Sequence, residues 1–326
     1  MRNLKTYFQQ DEGLVRAVDG VSFDLYPGGT LGVVGESGCG KSITARSILR
    51  IVDRPGRIVE GEIQFRRTGA GGASVVDLAT LPPNGPEMRA IRGAEIALIF
   101  QEPMSSFSPV HSIGNQIVEA IRLHQPVTGR EARARTIEIL RRVGVSSPEQ
   151  RVDQLAHQLS GGLRQRAMIA MALSCKPTLL IADEPTTALD VTTQTQILEL
   201  MRQLQREDGM AIMLITHDLG VVAEMATDVA VMYLGRVVEQ APVDAIFHDP
   251  RHPYTRALLR SIPRIRSRTR ERLTPITGAV PHPYDRPTGC PFHPRCAEFM
   301  AGRCDRQAPV LRPVGGQHAV SCFLYE

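Results

Sequence analysis

No run of about 18 apolar residues occurs anywhere in the chain of 326 residues, so no segment reads as a membrane-spanning helix. The opening residues Met1-Arg2-Asn3-Leu4-Lys5 lack the apolar core of a secretory leader, and the expectation is a chain that stays in the cytoplasm. Charge of one sign is in short supply as well. With 38 basic against 34 acidic side chains the balance is +4, too small to argue for a nucleic-acid partner. The paired C-x2–4-C hooks of zinc sites are missing, and six cysteines in a reducing compartment are expected to be free or metal-bound rather than disulfide-linked. At 42% apolar and 22% charged residues the composition is that of an ordinary soluble globular protein. The length passes the roughly 250–300 residues at which one core stops growing, which implies a large domain plus an appendage.

The stretch around which the chain is organised is Gly35-Glu36-Ser37-Gly38-Cys39-Gly40-Lys41-Ser42. It fits G-x-x-x-x-G-K-[ST], with the apolar run Thr30 to Val34 before it and a helix-compatible run, Ile43 to Ile51, after it. Glycines let successive backbone N–H groups face one concavity and bind phosphate oxygens, and a helix starting near Lys41 turns its positive end to the same place. Lys41 is expected to reach the β- and γ-phosphates, and the Ser42 hydroxyl to hold Mg²⁺. Nucleoside triphosphate binding follows.

Before this loop, Leu4 to Phe8, Arg16 to Val18 and Val21 to Leu25 read as short strands. Tyr7 and Phe8 are candidates to stack on a base, although by themselves they read as ordinary strand aromatics. Gly61 to Arg67 reads as a strand, Thr68 to Pro86 as a Gly- and Pro-rich loop, and Ile96 to Phe100 as a short buried strand ending at Gln101-Glu102-Pro103. Residues 113 to about 160 carry helical periodicity, with Ile113, Ile117, Ile121, Ile137, Leu140 and Val143 on repeating faces. Ser160-Gly161-Gly162 then precedes a helix from Arg164 to Ser174, with Ser160 as N-cap and bare glycine amides beside it. The apolar strand Leu179 to Ala182 ends in Asp183-Glu184, where burial of charge is costly unless it is used. Asp183 is expected to hold Mg²⁺ through water and Glu184 to act as base toward an attacking water. A further strand, Ala211 to Thr216, ends at His217, a candidate γ-phosphate contact. Residues 229–240 read as a hairpin around Leu234-Gly235-Arg236, and Val243 to Phe247 as a short helix. From Arg251 to Arg272 there are eight arginines against one acid, which reads as a solvated linker or a partner-facing patch.

Together these residues resemble the ATP-binding subunits of ABC transporters. Gly35 to Ser42 matches Walker A, Gln101 the Q-loop, Leu159 to Arg166 the signature, Leu180 to Glu184 Walker B, Thr187-Ala188-Leu189-Asp190 the D-loop, and His217 the switch histidine. Leu163 stands where the generic signature has glutamine, and Cys39 where Walker A commonly has serine. The resemblance implies an α/β P-loop ATPase core with an antiparallel β subdomain and a helical subdomain near 103–174. The ATPase domain is expected over 1–250 and a C-terminal extension over 251–326. It implies two ATP molecules shared between two such domains, with Ser160, Gly161 and Gly162 of one reaching the γ-phosphate held by the other. Gln101 is expected to sense Mg²⁺ and water, Asp190 to lie at the shared seam, and Phe8 to stack on adenine, with Tyr7 next. His252 to Leu259, Ile262-Pro263, Glu36-Ser37 and Gly162 to Arg166 resemble the oligopeptide/dipeptide importer subfamily, whose members also serve nickel and some sugars. The partners implied are a second, different ATPase subunit, two transmembrane permeases and an extracytoplasmic solute-binding protein, with this chain on the cytoplasmic face of the membrane. A soluble non-transport ABC ATPase is the rival; those carry two ATPase halves or a long coiled-coil insertion, and this chain has a single Walker A.

Four cysteines, Cys290, Cys296, Cys304 and Cys322, fall in the last 37 residues amid Pro, Gly and Arg. So little apolar material is expected to bury little surface, and a bound metal would offset the cost of ordering. Four thiolates suit Zn²⁺ or a four-iron cluster; the subfamily resemblance implies [4Fe–4S]. His293 is a possible further ligand.

Overall fold

In the computed structural model, which describes residues 1–69, 72–101, 106–187, 189–261 and 276–326, the chain opens with strands β1 (Arg2–Gln10), β2 (Gly13–Val21) and β3 (Thr30–Val34). Helix α1 (Lys41–Ile48), β4 (Gly56–Glu62), β5 (Gln64–Gly69), β6 (Gly72–Asp77), α2 (Pro86–Ile91) and β7 (Ile96–Ile99) follow. Then come α3 (Ile113–His124), α4 (Gly129–Arg142), α5 (Pro148–Arg151), α6 (Gly161–Leu173), β8 (Leu179–Asp183), α7 (Val191–Asp208) and β9 (Ala211–Ile215). The last elements are α8 (Leu219–Met225), β10 (Asp228–Tyr233), β11 (Arg236–Pro242), α9 (Val243–His248), α10 (Pro253–Arg260), β12 (Arg312–Gly315) and β13 (His318–Val320). No helix among the described residues is long and apolar enough to cross a membrane.

Two compact units divide the chain: Met1–Asp24, Leu31–Thr80 and Thr216–Glu326 form the first, Leu25–Thr30 and Leu81–Ile215 the second. In the first, β1 pairs antiparallel with β2 on one edge and β4 on the other. On β1 the buried Leu4 and Thr6 alternate with the less buried Asn3, Lys5 and Tyr7, as a half-covered strand requires, and on β2 Val18, Asp19 and Val21 are buried. β3 is buried at every position, the near-continuous apolar run of a parallel strand covered on both faces. It pairs in parallel with β10, which turns through Leu234-Gly235 into β11. Both turn residues have positive φ, 43° and 78°, the twist a two-residue hairpin needs.

The tail is folded into this unit. β13 pairs with β11, and β12 with β13. Phe292 packs among Tyr233 and Tyr254 with ring centroids 5.3 Å away in each case, and all three side chains are buried. The expectation that the tail buries little is therefore overturned. Its few apolar residues sit at the positions that face β10, β11 and α10, and strand pairing with β11 orders the rest; composition does not reveal either.

Two strand assignments also change. β2 runs from Gly13 to Val21 and contains the expected Arg16 to Val18 strand, extended at both ends because Gly13 and Gly20 are strand positions of positive φ rather than breaks, whereas the strand expected over Val21 to Leu25 does not continue past Val21. The segment expected to be a loop, 68–86, contains β6, which pairs with β5 through Phe65–Val76 and Arg66–Val75. Residues 262–275 of the arginine run lie outside the described residues; before them, Pro253–Arg260 is helix rather than linker, started by His252, whose Nδ1 accepts the Tyr254 N–H at 3.0 Å.

In the second unit, β7, β8 and β9 are parallel neighbours in that order. Ser112 caps α3, and Thr128 with Glu131 forms a capping box on α4. Ile113, Ile117 and Ile121 are buried as expected; on α4 the buried positions are Ala132, Thr136, Ile139 and Leu140, Val143 after it is buried too, and Ile137 is only half-buried. α7, which the periodicity reading leaves unassigned, is capped by Asp190 and stopped by Gly209 at φ 66°.

Candidate nucleotide site

Residues 35–42 form a tight loop between β3 and α1, and its glycines are required by close backbone approach. A Cβ on Gly35 would lie 2.2 Å from the Met232 carbonyl oxygen, and one on Gly40 2.1 Å from that of Ala17. Gly38 and Gly40 have φ of 78° and 100°, which other residues adopt only at a cost. Gly40 is also the N-cap of α1, and no side chain caps that end. Lys41 folds back over the loop, its Nζ donating to the Gly35 carbonyl at 2.7 Å and the Glu36 carbonyl at 3.1 Å. Ser42 is half-buried on the first turn of α1, and Ser37 is exposed at the loop's crest. The Cys39 thiol is packed under the loop, where burial raises its pKa against the pull of Lys41.

The loop is tied to the far end of the chain. Arg295, between Cys290 and Cys296, makes a two-pronged ion pair with Glu36, Nη1 to Oε2 at 2.7 Å and Nη2 to Oε1 at 3.0 Å. Its side chain is 3% exposed. Tyr233 supports Nη1 at 3.3 Å, and the Tyr254 hydroxyl accepts the Glu36 N–H at 2.9 Å. None of these partners was singled out as a site residue from the sequence. Glu36 stood inside the phosphate-loop stretch with no role of its own, Tyr254 inside a stretch quoted only for subfamily likeness, and Arg295 is 259 positions away from Glu36. Removing one member of such a pair leaves a charge without its partner. Arg295→Met is expected to lower the melting midpoint by roughly 6–12 °C, about 3 kcal/mol, and to weaken ATP binding; Arg295→Lys is expected to recover part of both, read by thermal melting and nucleotide titration.

Tyr7 and Phe8 point to different surroundings. The Tyr7 hydroxyl donates to buried Asp19 at 2.6 Å, and burial plus that bond push its pKa up to about 12. The Phe8 ring lies against Gly56, where Val52 also packs, and is half-buried. His217 follows Thr216, whose N–H donates to the Val33 carbonyl at 3.3 Å, and is exposed.

Burial raises the pKa of Cys290 and Cys296 to about 11 and also lifts Cys322, while backbone amides of Phe292, Glu298 and Leu324 hydrogen-bond the three sulfurs and oppose it. Each amide lies two residues beyond its cysteine, the arrangement that favours a thiolate ligand. The Cys290 N–H donates to the Cys304 carbonyl at 2.8 Å, bringing the first and third cysteines together, and the His293 ring nitrogen Nδ1 is 2.9 Å from the Cys290 carbonyl. All four thiols are free of disulfides. The donor set suits a thiolate-held group, although among the described residues no three His, Cys, Asp or Glu side chains converge closely enough to hold one metal ion.

In the second unit, β8 delivers Asp183 and Glu184 at its carboxyl end. Glu184 has φ 49°, a left-handed conformation that a glutamate adopts only at a cost of about 1–3 kcal/mol. Its N–H donates to the Ile215 carbonyl at 2.8 Å, and its Oε2 accepts from Gln101 Nε2 at 3.1 Å and Thr187 Oγ1 at 2.9 Å. Gln101 and Glu184, 83 residues apart, are thus brought into contact. Ser160 caps α6 without using its side chain, and a Cβ added at Gly161 would meet nothing within 4 Å. Gly162 lies against Thr193, the residue whose N–H and hydroxyl bond Asp190 at 3.0 and 2.8 Å, so the end of the signature and the D-loop aspartate share one patch. Glu102, Pro103 and Ala188 lie outside the described residues.

Known proteins supply the family. Residues 18–187 match the ABC transporter family model, and residues 238–304 match the oligopeptide/dipeptide transporter C-terminal region. The chain is 49% identical to the probable peptide ABC transporter ATP-binding protein y4tR of Sinorhizobium fredii, over 99% of this chain and 93% of that protein. It is 46% identical to the dipeptide transport ATP-binding protein DppD of Escherichia coli, over 98% of this chain and 94% of that protein. Among solved structures, the dimeric ABC transporter cassette MJ0796 superposes with a TM-score of 0.64 at 25% identity, covering 74% of this chain and 97% of that one. The same cassette bound to ADP and phosphate after hydrolysis superposes with a TM-score of 0.63. A strained glutamate at the end of a Walker B strand, a glycine-built phosphate loop and these matches identify the chain as a member of the ABC transporter family, an ATP-binding and ATP-hydrolysing subunit with the α/β P-loop fold.

Proposed function

We propose that the chain is the motor subunit of an importer for di- or oligopeptides, working from the cytoplasmic face of the membrane. Its partners are a second, different ATPase subunit, two transmembrane permeases and, through them, a solute-binding protein outside. The match of residues 238–304, which include Arg295, to the oligopeptide/dipeptide transporter C-terminal region carries this reading. The likeness to DppD supports the peptide class.

In this reading Lys41 and the amides of residues 35–42 bind the β- and γ-phosphates. Ser42, Asp183 and Gln101 would hold Mg²⁺, which would supply charge stabilisation at the phosphates. Glu184 takes the proton of the attacking water, His217 steadies the γ-phosphate, and Phe8 stacks on adenine. Ser160, Gly161, Gly162 and Asp190 complete the partner's site. Catalysis is then positioning plus electrostatic stabilisation. Peptide-loaded binding protein is expected to stimulate ATP hydrolysis by the assembled complex in lipid vesicles. Stimulation by a nickel- or sugar-loaded binding protein instead, with none by peptide, would remove the peptide assignment.

The four tail cysteines, Cys290, Cys296, Cys304 and Cys322, are proposed to hold a [4Fe–4S] cluster, which would supply cross-linking of the tail and a redox-active group. Anaerobically purified protein is expected to be brown and to contain about four iron and four sulfide per chain. A colourless protein with one tightly bound zinc rejects the cluster.

A further inference from the structure

A concavity of about 430 Å³ in the first unit is lined by arginines from three separate parts of the chain. Arg16 comes from β2, Arg236 from the first position of β11, and Arg286 from the tail, with Tyr284 beside them. The carboxylates facing this cluster are few. Asp19, buried, lies 2.8 Å from Arg236 Nη2 and 2.9 Å from Arg286 Nη1 through the same oxygen, Oδ2, and its other oxygen takes the Tyr7 hydroxyl. Glu12 accepts the Tyr284 hydroxyl at 2.9 Å and is exposed. Arg16 rests on the Tyr7 ring, 5.9 Å from its centroid. Two guanidiniums thus share one buried carboxylate, and the third rests on a tyrosine ring.

Arg286 is the informative member. Its Nη1 and Nη2 are both buried, and neither makes a hydrogen bond among the described residues; the contact with Asp19 is close but out of line. Buried donors normally find acceptors, and leaving a charged donor unsatisfied is costly. The five donors of a guanidinium form a planar fork that matches two oxygens of a phosphate. Burial disfavours the charged form of Arg286; Asp19 opposes this, the neighbouring Arg236 and Arg16 charges add to it, and an incoming anion would relieve it.

The cluster is distinct from the nucleotide loop. Tyr7 faces it, whereas the adjacent strand positions face elsewhere: Thr6 bonds Ser47 on α1 at 2.8 Å, and Phe8 covers Gly56. Successive strand residues point to opposite sides.

We propose that this concavity binds a phosphate group, either free phosphate or the phosphate of a small phosphomonoester, held by Arg286 and Arg236 and closed over by Arg16. The volume leaves room for a small organic substituent beyond the phosphate itself.

The test uses the full-length chain carrying Lys41→Ala, which silences the nucleotide loop. Inorganic phosphate and glycerol phosphate are titrated separately by calorimetry and by thermal melting. Saturable binding and a raised melting midpoint are expected in this background. Arg16→Gln, an exposed change that leaves the ligand-free midpoint in place, is expected to weaken binding about tenfold, and Arg286→Gln to abolish it. Tighter binding of glycerol phosphate identifies the phosphomonoester as the ligand, and equal binding identifies free phosphate. Loss of all phosphate binding in the Lys41→Ala chain, or binding indifferent to Arg16→Gln, overturns the proposal.

Discussion

Glu184→Gln is expected to reduce steady-state ATP hydrolysis by about 10²–10⁴-fold while ATP binding persists. The substitution keeps the shape of the side chain and its length, so the amide oxygen can still accept from Gln101 and Thr187, which now hold Oε2 at 3.1 and 2.9 Å. What disappears is the ability to take a proton from water. The left-handed backbone at φ 49° is shared by both residue types, so stability should change little. Such backbone strain is retained where geometry at the carboxylate matters. With turnover blocked and nucleotide held, ATP and Mg²⁺ should accumulate a paired form, read by light scattering against a phosphate-release assay. Near-normal release in the variant takes Glu184 out of the role of base.

Lys41→Ala should abolish nucleotide binding at micromolar ATP, a loss of at least about 100-fold in affinity from about 3 kcal/mol of charge-assisted contact. Nζ is already folded over the loop, where among the described residues it donates to the carbonyls of Gly35 and Glu36 and to the Cys39 sulfur. Carbonyls are weaker partners than phosphate oxygens, so exchanging one for the other favours the bound state. Truncation to Ala also frees those carbonyls at modest cost. Fluorescent nucleotide titration checks the affinity, and unchanged affinity would mean that the loop amides suffice on their own.

How far the chain explained itself differs from place to place. Local signals worked where chemistry is contiguous: the loop from Gly35 to Ser42 and the strand into Asp183-Glu184 stand where their patterns put them. The capped start of α6 at Ser160 is of the same kind. β2 and β6 were misjudged because glycine was read as punctuation, whereas Gly20 sits inside a strand at φ 85° and Gly72 begins one at φ 102°. The tail was misjudged for another reason. Hydropathy weighs each residue by itself, but Phe292 contributes through contact with Tyr233 and Tyr254, neighbours only in space. Arg295 carries no pattern at all; a guanidinium in a Pro-rich, Arg-rich stretch looks solvated until Glu36 is placed opposite it. Long-range ion pairs of that type have no period and no spacing by which one chain alone could announce them.

Arg295 also has a bearing on biosynthesis. Glu36 leaves the ribosome 259 residues ahead of its guanidinium partner, a delay of about 13–50 s at ordinary elongation rates. Throughout that interval the nascent loop has glycines and lysine in place but no clamp on its glutamate. A chain halted before Arg295 would therefore carry every nucleotide motif and still grip nucleotide poorly, which makes competence for ATP one of the last properties the growing polypeptide acquires.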